Sequence, residues 1–151
     1  MQKITPFLWF NGRVQEAADF YLSIFKNAKL ISTMPGPDDN CMSATIELEG
    51  QQYILFNGGP MYQLNEAVSL FVSCDTQEEI DEKWEKLTAD GGRESRCGWL
   101  KDKFGLSWQL VPPVLGQFLG DKDREKAKRV LQAMLKMNKL IIADLEQAAN
   151  E

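Results

Sequence analysis

The stretch CGWLKDKFGLSWQL, Cys97 to Leu110, brings a thiol, two tryptophans, an aspartate between two lysines and a glutamine into one short segment. Cys97 is the obvious nucleophile, and the cation of Arg96 beside it is of the kind that favours a reactive thiolate. The chain has no histidine to serve as its base. Neighbouring side chains in a strand alternate faces, so Arg96 is expected to point away, and a buried structural thiol is the simpler reading of Cys97. Asp102 reads as the turn residue of LKDKFG, with Gly105 taking the positive φ and Lys101 and Lys103 solvated on either side. Other clusters offer less. Glu78-Glu79 and Asp81-Glu82 fall within one helical pattern and read as its wet face and capping charge, not as an acid/base dyad. FNGGP lacks the glycine spacing of a phosphate loop and no helix follows it, so it is a turn.

Composition narrows the partners. Seventeen Lys and Arg against 22 Asp and Glu give the 151-residue chain a net charge of −5. A field of that sign repels phosphate backbones, which argues against a nucleic-acid partner. Hydrophobic residues make up 44% of the chain and charged ones 26%, the balance of a globular protein with a real core. The N-terminus lacks the long apolar region and small-residue cleavage site of a signal peptide, and no run approaches the ~20 apolar residues of a membrane span. A cytosolic protein with no membrane partner is expected. Cys41, Cys74 and Cys97 are odd in number and widely separated, so they read as reduced thiols, neither a disulfide framework nor a zinc site.

The elements that must position these residues follow from periodicity. ITPFLWF reads as a strand ending at a turn, and RVQEAADFYLSIF places Val14, Ala17, Ala18, Tyr21, Ile24 and Phe25 on one helix face. LISTM, MSATIELEG and QQYILFNGG read as three strands, the last two joined by a tight turn at Glu49-Gly50. The same order begins again at AVSLFVSCD. TQEEIDEKWEKL is a helix with a capping box at Thr76 and Glu79 and an apolar stripe of Ile80, Trp84 and Leu87. RESRCGW and LSWQLVP read as strands around the LKDKFG turn. A β-α-β-β-β unit thus occurs twice, offset by about 65 residues. After Pro112-Pro113 the pattern becomes helical, with a break expected at Asn138-Lys139.

The segments PFLWFNG…EAADFYLSIF, FNGGP, SLFVSCDTQEEIDEKWEKL, CGWLKDKFGLSWQLVP and VLQAMLKMNKL together resemble the PhnB-like group of the vicinal oxygen chelate superfamily, also called glyoxalase/bleomycin-resistance/dioxygenase-like. The resemblance spans nearly the whole chain. It implies an α+β fold of paired βαβββ modules whose strands form a curled mixed sheet around a cavity, with a C-terminal helical appendage. One glyoxalase-like domain is expected over 1–120, made of modules at about 1–62 and 66–115, followed by a helical segment over 121–151. Members are often named for 3-demethylubiquinone-9 3-methyltransferase. A Rossmann-type methyltransferase needs a glycine-rich turn after its first strand and a longer parallel sheet, which this chain does not offer.

The superfamily's usual metal is held by His, Glu or Gln at one place on each of four strands. Laid on this chain, that pattern puts the places at about Pro6, Tyr53, Ser69 and Gln109, of which Gln109 alone could ligate. Setting Gln109 inward sends Ser107 and Val111 inward with it, and Trp108 and Leu110 to the helix side. The same parity puts Leu8, Phe10, Tyr53, Leu55, Asn57, Ser69, Phe71 and Ser73 on the concave face. The resemblance therefore implies a metal-independent small-molecule-binding protein that uses no cofactor. Phe10, Tyr53, Leu55, Asn57, Ser69, Phe71, Ser107, Gln109 and Cys97 are its candidate ligand-binding residues, and the helical tail favours a homodimer. The alternative is an enzyme of unassigned reaction working through Gln109, Tyr53 or Cys97.

Overall fold

The computed structural model describes residues 2–151. They fall into two compact units with the boundary between Leu64 and Asn65. In the first, β1 (Phe7–Phe10) leads into α1 (Val14–Ile24), followed by β2 (Ala28–Pro35), β3 (Cys41–Leu48) and β4 (Gln51–Asn57). The sheet order is β1-β4-β3-β2, with β1 parallel to β4 and the other pairs antiparallel. Helix α1 buries Val14, Ala17, Ala18, Tyr21 and Ile24, the stripe its sequence predicts. Glu49 at φ 48° and Gly50 at φ 85° form the turn between β3 and β4. Two successive positive φ values match the right-handed twist of the flanking strands, and Leu48 pairs with Gln51 across the turn.

The second unit repeats this plan. It contains β5 (Ser69–Ser73), α2 (Gln77–Thr88), β6 (Arg93–Glu94), β7 (Trp99–Lys101) and β8 (Ser107–Val111) in the sheet order β5-β8-β7-β6. Its first and last strands again run parallel. Thr76 caps α2 by accepting a hydrogen bond from the Glu79 N–H at 3.2 Å, while Glu79 accepts from the Asp75 N–H at 2.8 Å. Two otherwise orphaned donors are satisfied in this way. Ile80, Trp84 and Leu87 are buried as expected, and the Trp84 indole N–H donates to Glu94, tying the short β6 to the helix.

Three further helices belong to this unit: α3 (Pro113–Leu119), α4 (Arg124–Met134) and α5 (Ile142–Ala149). The Pro112-Pro113 pair starts α3 instead of only ending a strand, because proline at the first helical position gives up an N–H that has no helical partner. The break between α4 and α5 spans Asn138-Lys139, as predicted. Val111, Leu115, Val130, Leu140, Leu145, Ala148 and Ala149 form one buried cluster, so these helices share a core with the end of β8. Gln77 on α2 clasps the tail from both sides: its amide N–H donates to the Leu140 carbonyl and its oxygen accepts from the Ile142 N–H.

The β7–β8 turn is built on Asp102. Its carboxylate is 2% exposed and accepts hydrogen bonds from the Phe104 N–H at 2.9 Å, the Leu106 N–H at 3.0 Å and the Trp108 indole N–H at 2.9 Å. Gly105, at φ 91°, lets the backbone close on this carboxylate. Asp102→Ala would leave three donors without their acceptor, and hydrogen bonds to a buried charge contribute about 1.5–3 kcal/mol apiece. The variant is expected to lose about 3 kcal/mol or more of unfolding free energy in urea titration. A loss below about 1 kcal/mol would show that the turn is held by something else.

Candidate functional site

The face of the second sheet turned away from α2 carries the unit's polar chemistry. Pairing of β5 with β8 sets Ser69 beside Ser107 and Phe71 beside Gln109, and pairing of β7 with β8 adds Lys101 beside Ser107 and Trp99 beside Gln109. Paired residues share a face with Cβ atoms about 5 Å apart. The alternate residues Leu100, Trp108 and Leu110 are at most 1% exposed and pack on the α2 side. Burial of these large apolar groups, together with the Asp102 clamp on the Trp108 indole, fixes the rotation of β8. Ser107 and Gln109 must then project from the other face.

On that face the Gln109 amide N–H donates to the Ser69 hydroxyl at 3.0 Å. Ser69 keeps its own proton to donate onward. The Ser107 hydroxyl is buried, and among the described residues it has no hydrogen-bond partner. A buried hydroxyl without a partner costs about 1–3 kcal/mol, so an incoming polar group that reached it would bind more tightly for doing so. Phe71 is 62% exposed and Trp99 half-buried, which places aromatic surface beside the polar groups. Ser69, Phe71, Ser107 and Gln109 are thus brought together.

Other predicted residues lie elsewhere. Val111 has the parity of Gln109, but it is buried among the C-terminal helices and is not part of the open face. Cys97 is not in a strand. It sits in the turn between β6 and β7 at φ 59°, where its N–H donates to the Met137 carbonyl, and the next N–H, of Gly98, donates to the Asn138 carbonyl. A Cβ at Gly98 would come within 3.0 Å of the Leu110 carbonyl oxygen and of Leu140, so the turn is fastened against the tail. The fully buried thiol is Cys74, which burial pushes up to about 11 and keeps protonated at neutral pH.

In the first unit the expected parity is reversed. Leu8, Phe10 and Leu55 are 7%, 4% and 0% exposed, and they share a face with the buried Ala44, Ile46 and Leu48 under α1. Tyr53 pairs with Ile46 on this same face, and burial raises its hydroxyl pKa. Asn57 accepts a hydrogen bond from the Gly12 N–H at 2.8 Å and so braces the turn into α1, beside a hollow of about 340 Å³ that also includes Arg13 and Asn40. The face opposite α1 carries an aromatic cluster that the sequence reading missed. Phe7 and Trp9 each contact Phe56, with ring centroids 5.1 and 5.4 Å apart, and Tyr62 meets Trp9 at 5.0 Å.

This register also decides whether a superfamily-type metal fits. Ser69 begins the β5–β8 ladder and Gln109 stands in its third pair; the corresponding places in the β1–β4 ladder are Phe7 and Phe56. They replace Pro6 and Tyr53 of the sequence assignment. Phe7 and Phe56 in the first unit carry no donor atom, and the Ser69 hydroxyl and Gln109 amide in the second are not the imidazole, thiolate or carboxylate that a divalent transition metal takes. Among the described residues no three His, Cys, Asp or Glu side chains come together to hold an ion.

Comparison with known proteins agrees with the fold. The family described as 3-demethylubiquinone-9 3-methyltransferase matches residues 2–111, ending with the last residue of β8. Among solved structures, the PhnB protein from Bacillus cereus is 33% identical, covers 74% of this chain and 99% of its own, and superposes with a TM-score of 0.68. A protein from Pseudomonas aeruginosa, at 21% identity, covers 74% of this chain and 98% of its own with a TM-score of 0.63. The fosfomycin resistance protein FosX from Listeria monocytogenes, at 17% identity, covers 80% of this chain and 98% of its own with a TM-score of 0.61. These last two share the fold alone. A comparison with curated proteins returns no match. The chain belongs to the 3-demethylubiquinone-9 3-methyltransferase family, the PhnB-like group.

Proposed function

We propose that the protein binds a small molecule on the open face of its second sheet, without a metal and without a cofactor. The observation that carries this reading is the grouping of Ser69, Ser107 and Gln109 beside exposed aromatic surface, with one buried hydroxyl lacking a partner. A few fixed polar groups within apolar and aromatic surroundings are the usual make-up of a small-molecule site. Metal independence is supported by the donor chemistry: phenyl rings stand where two of the superfamily's ligands would be.

The enzyme reading through Gln109, Tyr53 or Cys97 has weaker support. Burial holds the Tyr53 hydroxyl protonated on the α1 side of its sheet, and Cys97 is engaged by backbone bonds to the C-terminal segment.

A homodimer is part of the same proposal. Leu131 on α4 and Leu135 just after it are 40% and 53% exposed, apolar area that a symmetric contact between two copies would cover. Among the described residues no helix is long and apolar enough to cross a membrane, and the net charge of −5 disfavours nucleic acid.

Three measurements test these statements. Metal analysis after dialysis is expected to find less than about 0.1 equivalent of any divalent transition ion, whereas a stoichiometric ion would overturn metal independence. Gln109→Ala is expected to weaken ligand binding by about 1 kcal/mol and leave stability nearly unchanged. Trp108→Ala should instead cost about 3–5 kcal/mol of stability through the cavity it opens; equal losses of stability in the two variants would mean that β8 is rotated differently. Light scattering at micromolar concentration should report a dimer, and a monomer would remove that part of the proposal.

A further inference from the structure

The polar row that crosses the second sheet continues past Ser69 and Ser107. Lys101 pairs with Ser107, and Arg93 on β6 pairs with Lys101, so Ser69, Ser107, Lys101 and Arg93 form one line across four strands on one face. The adjacent row is Phe71, Gln109 and Trp99. Two hydroxyls and two cations beside two aromatic rings and an amide is an arrangement with a clear chemical preference. It suits a negatively charged oxygen group attached to something flat and apolar.

One carboxylate already occupies the cationic end. Glu66 lies three residues before Ser69 in the approach to β5, and it pairs with the Lys101 ammonium. The hydrogen bond from Lys101 holds the Glu66 carboxyl below the usual carboxylate range, with smaller contributions from its own backbone and from the charges of Lys101 and Arg93. The Glu66 side chain is 64% exposed and hangs from a turn, whereas Lys101 is half as exposed, at 33%. The carboxylate is thus the more exposed partner, held by Lys101 and by a hydrogen bond to its own backbone. Its contact with Lys101 is the contact a ligand carboxylate would make, and the ligand would add the exposed Arg93 guanidinium, the next cation along the row.

We propose that this row receives the carboxylate of a small aromatic or otherwise planar acid, and that Glu66 holds the carboxylate position closed until such a ligand displaces it. The proposal rests on the reading of this face as a small-molecule site and adds the class of ligand and an internal competitor. Exchange of one carboxylate for another on Lys101 is nearly neutral by itself. The gain comes from the second cation at Arg93 and from stacking on Phe71 or Trp99. A tethered competitor lowers the apparent affinity by the fraction of time it occupies the site.

The test compares benzoate with benzamide, which share a ring and differ in charge, by titration calorimetry on the full chain and two variants. Benzoate is expected to bind about tenfold more tightly than benzamide, the worth of one charge-assisted hydrogen bond. In Glu66→Gln benzoate affinity should rise about threefold to tenfold with benzamide unchanged, because only the acid competes with Glu66. In Lys101→Met the preference for benzoate should fall to about threefold or less, Arg93 being the one cation left in the row, while benzamide still binds. Benzamide binding as well as benzoate to the unaltered protein would overturn the ligand class and leave the small-molecule reading standing. Unchanged benzoate affinity in Glu66→Gln would overturn the competitor. Failure of both compounds to bind at millimolar concentration, with circular dichroism showing a folded protein, would overturn this proposal and the reading beneath it together.

Discussion

A buried carboxylate holds the second unit's site in place. Asp102 sits at the tip of the β7–β8 turn with almost no exposure, and it fastens two backbone amides of its own turn together with the indole of Trp108. Taking an ionised carboxylate out of water is costly unless its lone pairs are filled, so the turn has little freedom once those donors converge. Trp108 is thereby pinned to the α2 side of the sheet. The residues before and after it, Ser107 and Gln109, can only face the other way. The polar row that we read as a binding surface is a consequence of where one turn residue directs one indole.

The two units share a topology and differ in what they present. Each sheet pairs its first strand in parallel with its last, and each covers one face with a single helix. On the opposite face the first unit carries Phe7, Trp9 and Phe56, and the second carries Ser69, Gln109 and Lys101. The shared plan requires only that one residue in two be apolar and buried; the other face is free to diverge, which is why fold and activity separate so readily in architectures of this kind. The helices beyond residue 111, where the family match ends, bury Val111 and clasp both Gln77 and the Cys97-Gly98 turn. They close one end of the second sheet and take part in its core.

How much of this the sequence discloses depends on whether a strand alternates. SWQLV alternates, with polar groups at 107 and 109, and a buried Trp108 and Leu110 follow directly. PFLWF and YILF are apolar throughout, so nothing within β1 or β4 marks the face, and a register taken from the family's metal positions falls an odd number of residues short in each strand, Pro6 for Phe7 in β1 and Tyr53 for Phe56 in β4. A slip of one residue exchanges the two faces of a strand, which is why Phe10, Tyr53 and Leu55 lie under α1. The needed signal was present two segments away. MSATIEL alternates, with Ala44, Ile46 and Leu48 apolar, and the two-residue turn at Glu49-Gly50 sets Ile46 against Tyr53 and Ala44 against Leu55. Propagating that register through the hairpin assigns β4 correctly. Cys97 differs in kind: its positive φ follows from carbonyls at Met137 and Asn138, some 40 residues away, and no local pattern encodes them.

The account places ligand recognition on one face of one sheet, and chemical-shift mapping on labelled protein reads that placement directly. On titration with benzoate, the account predicts that the largest changes fall on the Gln109 side-chain amide, the Trp99 indole and the backbone amides of Ser69, Phe71 and Ser107, with α4, α5 and the aromatic face of the first unit little affected. Shifts concentrated on Phe7, Trp9 and Phe56, or on the C-terminal helices, with the Gln109 amide unmoved, would contradict it.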